Sequence, residues 1–227
     1  MSFAHIISDL IRDFRYYTDF LLDLRYGGWF GGVIKTRHAH LGAKDTQSSF
    51  YYVMSPVFLY YPLRDSDVFV DVGCGKGRTI NWLLVHGYRN RMIGIEIDEE
   101  IAGRTKKKFA KYKNVEIIGG NALDNIPADG TVFYLYNSVN AEMMIRFKDL
   151  LRDMFGNRRK VTIIYVNYAH LDVFVDDPAW RVRRTYYHSI PTVSPEWPLI
   201  DIGIVPSYPV AFIELNPPMG SDLTFDF

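Results

Sequence analysis

The chain lacks several features that would mark a secreted, membrane-spanning or nucleic-acid-binding protein. It has a single cysteine, Cys74, so no disulfide can form within it. Its 26 basic and 26 acidic residues cancel, whereas proteins that bind nucleic acid are normally basic. It has no run of about 18 apolar residues and no short apolar core of a signal peptide at the N-terminus. We therefore expect a cytoplasmic protein with no nucleic-acid partner and no transmembrane segment.

Clusters of metal ligands are also scarce. His38 and His40 stand as H-A-H, but no cysteine or acidic residue lies beside them to complete a set of ligands. We therefore predict no metal site. With 227 residues, of which 48% are hydrophobic, the chain is long enough to bury the core of one compact domain.

The most informative stretch is residues 68–77, which read VFVDVGCGKG. Its near-continuous apolar start is typical of a parallel strand that is buried on both faces. Asp71 lies near the end of this strand, and three glycines follow it. Glycine lets a backbone turn sharply and lets a ligand approach main-chain N–H groups at the start of a helix. The glycines of this turn are Gly73, Gly75 and Gly77.

The spacing of the glycines distinguishes between kinds of nucleotide site. In a dinucleotide-binding turn the third glycine follows the second by three residues, but here Arg78 occupies that position. There is no G-x-x-x-x-G-K-[ST] of a P-loop either. The pattern D-V-G-C-G-K-G instead resembles motif I of class I S-adenosylmethionine-dependent methyltransferases. This resemblance implies a loop that holds the methionine end of the cofactor, with Asp71 orienting the loop and the amino-acid group.

A second acidic residue follows the next predicted strand. Residues 92–97 read MIGIEI, and Glu96 stands at the end of that strand. An ionised carboxylate offers two acceptor oxygens, which suits the two ribose hydroxyls of a nucleoside. The alternative is a solvated acid beside Asp98. Because the glycine turn lies upstream, we favour the ribose role for Glu96.

The third and fourth predicted strands also end in polar residues. Residues 115–118 precede Asn121 and Ala122, which the methyltransferase resemblance places against the adenine. Residues 131–136 precede Asn137, at the position where methyltransferases place residues that face the methyl group. The resemblance therefore implies a cofactor site formed by four successive strand ends.

The fifth predicted strand, residues 161–166, runs into Asn167, Tyr168, Ala169 and His170. Open α/β sheets bind ligands outside the carboxyl ends of their strands, so His170 is the best placed histidine for a general base. We take Asn137, Tyr168 and His170 as the candidate catalytic residues. The alternative for His170 is a capping or packing role in the loop.

The remaining strands complete an α/β fold. Residues 181–187 and 208–215 are rich in β-branched and aromatic residues and suit the last two strands of a seven-stranded sheet. We expect a Rossmann-like, mostly parallel sheet with helices on both faces and an antiparallel last strand. Residues 188–207 contain too much proline for a helix and are candidates to cover an acceptor pocket.

The N-terminal residues have the pattern of an amphipathic helix. We expect its apolar side to pack on the protein itself rather than on a membrane, because the polar side mixes acids and bases. Residues 1–44 are then a helical extension, whose glycine-rich end around Trp29 is a candidate lid, and residues 45–227 are the methyltransferase domain. The apolar positions of the helix are Phe3, Ile6, Ile7, Leu10, Ile11, Phe14, Tyr17 and Leu21.

A narrower resemblance comes from D-T at residues 45–46, Y-L-Y-N after strand four and Y-V-N-x-x-H after strand five. In these motifs the chain resembles small bacterial class I methyltransferases, which are distantly similar to the non-SET histone lysine methyltransferases. Relatives often read Y-N-P-F after strand four, whereas this chain has Ser138 and Val139 after Asn137. The expected acceptor is a small hydroxylated or sugar-like molecule. The alternatives are a protein lysine and a cofactor-binding sensor or assembly subunit without catalysis.

Overall fold

The computed structural model describes residues 17–156, 158–186 and 208–215. Seven strands form one sheet in the order β3-β2-β1-β4-β5-β7-β6. The first five strands pair in parallel, and β7 is antiparallel to both of its neighbours. The predicted seven-stranded, mostly parallel sheet is confirmed. The strands are β1 (Val68–Val72), β2 (Arg91–Glu96), β3 (Val115–Gly119), β4 (Val132–Tyr136), β5 (Val161–Val166), β6 (Trp180–Tyr186) and β7 (Pro209–Leu215).

Helices cover both faces of this sheet. Successive residues of a strand point to opposite faces, so Tyr134 packs in one core and Phe133 in the other. Helices α2, α3 and α4 contribute to the core around Tyr134, and α5 to the core around Phe133. The helices are α1 (residues 17–25 of the described part), α2 (Tyr51–Tyr60), α3 (Arg78–Val85), α4 (Glu99–Phe109), α5 (Ala141–Phe155) and α6 (Asp172–Val175).

Two of the helices that flank the carboxyl edge of the sheet begin at side-chain caps. The Asp98 carboxylate accepts hydrogen bonds from the main chain of Glu100 and Ile101 at the start of α4. The Asn140 side chain accepts one from Met143 at the start of α5. Each cap satisfies N–H groups that a helix leaves without partners at its N-terminus. Helix α3 begins differently, with Gly77 in the left-handed conformation and no side-chain cap.

The described part of α1 is oriented opposite to the sequence prediction. Its acidic residues Asp19 and Asp23 are buried, whereas Tyr17 and Leu24 are 59% and 58% exposed. The expectation that the apolar side packs on the protein is therefore wrong for residues 17–25. The cause is electrostatic, because both carboxylates point inward to the guanidinium of Arg78.

Two predictions about other segments lie outside the described residues. They are the apolar positions of the N-terminal helix before residue 17 and the proline-rich segment 188–207. Within the described ranges, no helix is long and apolar enough to cross a membrane. In the same ranges, no group of three or more His, Cys, Asp or Glu residues is arranged to hold a metal ion.

Candidate functional site

The glycine turn after β1 forms the floor of the candidate site. All three of its glycines have left-handed φ angles of 78°, 52° and 83° at Gly73, Gly75 and Gly77. A Cβ on Gly77 would lie 2.4 Å from Cε2 of Phe109, and one on Gly75 would lie 2.7 Å from Cγ2 of Thr46. Both the backbone conformation and the close neighbours therefore require glycine.

Glu96 ties this turn to the end of β2. One of its oxygens accepts a hydrogen bond from the Gly75 N–H at 2.8 Å, and the other accepts one from the Asp98 N–H at 3.0 Å. The side chain is almost fully buried. Burial raises the pKa of Glu96, and these main-chain hydrogen bonds act in the opposite direction. An ionised carboxylate has four lone pairs, so acceptor capacity remains for a ligand.

Asp71 is a buried carboxylate with an unusual environment. It is 4% exposed, and no described residue donates a hydrogen bond to its carboxylate. Burial raises its pKa from 3.8 to about 8, and the nearby charge of Glu96 adds to the shift. A buried acid without a donor is costly unless a ligand supplies one. Asp71 borders the cavity described next.

Two adjoining hollows lie between the glycine turn and residues 43–49. The first is polar, and the carboxylates of Asp71 and Glu96 border it. The second is mainly apolar. Ala43, Gly73, Ile97 and Ser138 border both hollows, so the two adjoin, and we call them together the cleft, with a charged end and an apolar end. The residues of the apolar end include Val72, Ile95, Ile97, Ala122, Val139 and Met143.

Of the two residues predicted to face adenine, one borders the apolar end directly. Ala122 is a lining residue. The Asn121 side chain accepts a hydrogen bond from the Leu123 N–H at 3.0 Å and so caps the short 3-10 turn Ala122–Asp124. A side-chain carbonyl has two lone pairs, so this cap leaves Asn121 able to accept a second hydrogen bond.

Asn137 follows β4 in a left-handed conformation, with a φ of 43°. Its side-chain oxygen accepts a hydrogen bond from Nζ of Lys44 at 2.6 Å. Lys44 borders the polar hollow, and its main-chain N–H also bonds to the Ser138 carbonyl. Burial lowers the pKa of Lys44. Sequence analysis missed Lys44, because a single lysine 93 positions before Asn137 gives no local signal.

The two other candidate catalytic residues lie after β5. The Tyr168 ring packs 6.1 Å from the ring of Tyr165, and the Tyr165 hydroxyl accepts a hydrogen bond from the Ala169 N–H. His170 is half-buried. Neither Tyr168 nor His170 borders the cleft. Their catalytic roles therefore stay predictions.

A buried ion cluster behind the glycine turn was also missed. Nη1 of Arg78 lies 2.6 Å from Asp19, and Nη2 lies 2.9 Å from Asp23. Asp23 also accepts hydrogen bonds from the Tyr51 hydroxyl and the Phe30 N–H. Burial raises the pKa of Asp19 to about 7, although the Arg78 guanidinium acts in the opposite direction.

The sequence does contain a signal for this cluster. Asp19 and Asp23 are four residues apart on one helix, where like charges repel unless a cation lies beside them. Arg78 is a cation in the first turn of a helix, where the helix dipole disfavours it. The two acids and the arginine are each unfavourably placed on their own helices and carry opposite charges, which indicates that they pair with each other.

Comparisons with known proteins agree with this geometry. Residues 69–162 match a family model described as a methyltransferase domain. An RNA methyltransferase from Salinibacter ruber, solved with S-adenosyl-L-homocysteine, is 15% identical, with a TM-score of 0.52 over 75% of this chain and 94% of that one. A tRNA methyltransferase from B. subtilis is 13% identical, with a TM-score of 0.53 over 74% and 67%. A methyltransferase from Aquifex aeolicus is 14% identical, with a TM-score of 0.51 over 71% and 89%. No curated protein matches the chain.

The structural likeness establishes the fold, which is that of the class I methyltransferases. The family match places a methyltransferase domain at residues 69–162, from β1 into β5. Residues 69–162 therefore belong to a methyltransferase domain, and the chain has the fold of the class I S-adenosylmethionine-dependent enzymes. The predicted class and cofactor are confirmed.

Proposed function

We propose that this methyltransferase acts on a hydroxyl group of a small, ring-shaped, sugar-like acceptor. The observation that carries the proposal is a cluster of aromatic rings, called here the aromatic wall, that reaches the polar end of the cleft at Tyr136. Tyr136 borders the cleft, and its ring centroid is 6.1 Å from that of Tyr208. Phe50 and Tyr52 stack on each other at 5.4 Å and lie 6.0 and 6.2 Å from Tyr208.

Such a wall suits an acceptor with one apolar face and several hydroxyls. Aromatic faces pack against the C–H face of a sugar ring, and tyrosine hydroxyls hydrogen-bond to polar edges. Burial raises the pKa of Tyr136, so its hydroxyl stays protonated and acts as a donor or acceptor rather than as a base. The zero net charge of the chain also favours a small neutral acceptor over a polyanion.

The cleft residues fit S-adenosylmethionine. The Asp71 carboxylate, which has no donor among the described residues, would receive the ammonium of the methionine group. Glu96 would accept hydrogen bonds from the ribose hydroxyls, and Asn121 with Ala122 would face the adenine. The glycine turn leaves open the space that Cβ atoms would fill. The cofactor supplies a methyl group on a sulfonium, which is already activated.

Catalysis would then rest mainly on positioning. Bound S-adenosylmethionine would supply the activated methyl group, and the acceptor hydroxyl would have to give its proton to a base on the protein. We propose His170 as that base and Tyr168 and Asn137 as the other catalytic residues, although none of the three borders the cleft in the free protein. Asn137 is linked to the cleft through Lys44, which borders the polar hollow and donates a hydrogen bond to the Asn137 side chain. If His170→Ala had the same turnover as the wild type at every pH tested, His170 would not be the general base.

Labelled cofactor tests the acceptor class. The protein is incubated with methyl-labelled S-adenosylmethionine and separate small-molecule, protein and RNA fractions of cell extract. We expect label in the small-molecule fraction. Label in protein would favour a lysine, whose ammonium also binds aromatic faces. Label in RNA would match the acceptors named for two of the structural relatives. Cofactor binding without label in any fraction would favour the sensor alternative.

Replacing Tyr136 tests the aromatic wall. In Tyr136→Leu we expect kcat/KM for the acceptor to fall at least about tenfold, the value of one aromatic contact, with the dissociation constant of S-adenosylmethionine changed less than about threefold. Tyr112→Leu is the matched control, because Tyr112 is half-buried beside Phe109 and away from the wall. Equal kinetics in the two variants would contradict the assignment.

Replacing Asp71 tests both its role in the cofactor site and its effect on how the stability of the protein depends on pH. Because its folded pKa of about 8 lies above the ordinary 3.8, the wild type should lose stability as pH rises through this window. Asp71→Asn cannot ionise, so its free energy of unfolding should exceed that of the wild type by about 1–3 kcal/mol at pH 8 and by little at pH 4. Its affinity for S-adenosylmethionine should fall. Denaturant unfolding and calorimetry measure both effects, and a variant that is less stable at pH 8 with unchanged affinity would refute the assignment.

A further inference from the structure

Helix α1 presents an apolar side to the exterior. Leu24 is 58% exposed. Phe20 and Leu21, one turn before it, and Tyr17, two turns before it, lie on the same side and are exposed as well. Trp29 extends this side beyond the helix, because the residue is 53% exposed and its ring meets the ring of Phe20 edge to face at 5.3 Å. We call these residues the outward patch: Tyr17, Phe20, Leu21, Leu24 and Trp29.

Buried ion pairs on the opposite side of α1 fix the orientation of the outward patch. Asp19 and Asp23 lie on the opposite side of α1, and both bond to the buried Arg78. Rotating the helix to bury Leu24 would expose the acids and leave Arg78 buried without a partner, which is strongly unfavourable. The outward apolar side is therefore a stable feature of the fold.

A basic surface adjoins the outward patch. Residues 101–115 contain no acid. Nζ of Lys108 lies 3.3 Å from the carbonyl oxygen of Trp29 and 3.8 Å from the ring centroid of Phe30, which fixes α4 beside the patch. Lys76 bonds to the Gly31 carbonyl in the same loop. The exposed cations of this stretch, which we call the basic stretch, are Arg104, Lys106, Lys107, Lys111 and Lys113.

We propose that the outward patch and the basic stretch together dock the protein on an anionic membrane surface. Apolar and aromatic side chains would enter the interface between headgroups and acyl chains, and the lysines would face lipid phosphates. A second copy of the chain fits less well, because a symmetric contact would bring one basic stretch towards the other. RNA would satisfy the lysines but would leave Leu24 and Phe20 in water.

Vesicle sedimentation tests this proposal. The whole protein is mixed with phosphatidylcholine vesicles that contain or lack phosphatidylserine. We expect binding to the anionic vesicles that is at least about tenfold tighter than to the neutral ones and that weakens with added salt. Equal binding to both kinds of vesicle, or binding to neither, would overturn the proposal.

Paired variants separate the two contributions. Leu24→Ser should weaken binding to anionic vesicles about tenfold, whereas Leu59→Ser, at a residue 84% exposed on α2, should not. The double variant Lys107→Glu with Lys111→Glu should weaken binding to anionic vesicles more than tenfold, because each lost cation costs roughly fivefold. The control Arg158→Glu, in the loop before β5, should change this binding less than threefold. Calorimetry with S-adenosylmethionine verifies that each variant is folded.

Two other results would refute the membrane surface as the partner. One is a dimer in sedimentation equilibrium that Leu24→Ser converts to a monomer while vesicle binding is absent. The other is RNA binding that the double lysine variant abolishes while vesicle binding is unchanged.

Discussion

Glu96→Ala should weaken the binding of S-adenosylmethionine by about a hundredfold. The Glu96 carboxylate is 3% exposed and already orders the site by accepting hydrogen bonds from Gly75 and Asp98. In the proposed cofactor site, its remaining lone pairs would receive the ribose hydroxyls. A hydrogen bond to a charged group contributes about 1.5–3 kcal/mol, so losing two of them corresponds to a factor of roughly a hundred or more.

Calorimetry with S-adenosylmethionine and S-adenosylhomocysteine measures this effect. Glu96→Gln should fall between wild type and Glu96→Ala, because one of its terminal groups can still accept while the other can only donate. Glu116→Ala is the control, since that side chain is 52% exposed and pairs with Arg91 on the surface. A dissociation constant for Glu96→Ala within threefold of wild type would remove Glu96 from the cofactor site.

Arg78→Met should lower the free energy of unfolding by about 3–5 kcal/mol. Arg78 is 4% exposed and is the cation that faces Asp19 and Asp23, which are themselves 4% and 0% exposed. Removing one partner of a buried ion pair leaves the other charges without compensation, and this is where the large cost arises. Methionine keeps much of the length of the side chain, so lost packing should contribute little.

Urea unfolding of two further variants isolates the electrostatic part of the stability lost in Arg78→Met. Arg91→Met removes an arginine that is 45% exposed and pairs with Glu116 and Asp129, and we expect it to cost less than about 1 kcal/mol. Adding Asp19→Asn and Asp23→Asn to Arg78→Met should restore part of the lost stability, because no buried charge then remains in the cluster. If Arg78→Met and Arg91→Met cost the same, the buried cluster contributes nothing beyond a surface pair.

The sheet was predictable from the sequence because its strands are short apolar runs that end in glycine or polar residues. The cofactor turn was predictable for a similar reason, since Asp71 and the three glycines lie within one local pattern. Contacts between distant segments were not predictable in this way. The bond from Lys44 to Asn137 joins residues 93 positions apart, and the pairs of Arg78 join residues 55 and 59 positions apart.

The error in α1 has a specific physical cause. Hydrophobic periodicity predicts which residues share a side of a helix, and Tyr17, Leu21 and Leu24 do share one. It does not predict which side faces the protein when a buried cation competes for that position. Here the ion pairs of Arg78 determine the orientation, and the apolar side faces outward.

If Asp71 receives the ammonium of the cofactor, as proposed above, cofactor uptake exchanges a proton on this carboxyl for the positive charge of the ligand. In the free protein the carboxyl holds a proton up to a pH of about 8, because burial and Glu96 disfavour its ionised form. An incoming ammonium favours that ionised form, so below this pH the proton is released as the ligand enters. Affinity should therefore increase as pH rises towards 8, and heat measured at neutral pH should include the ionisation of the buffer.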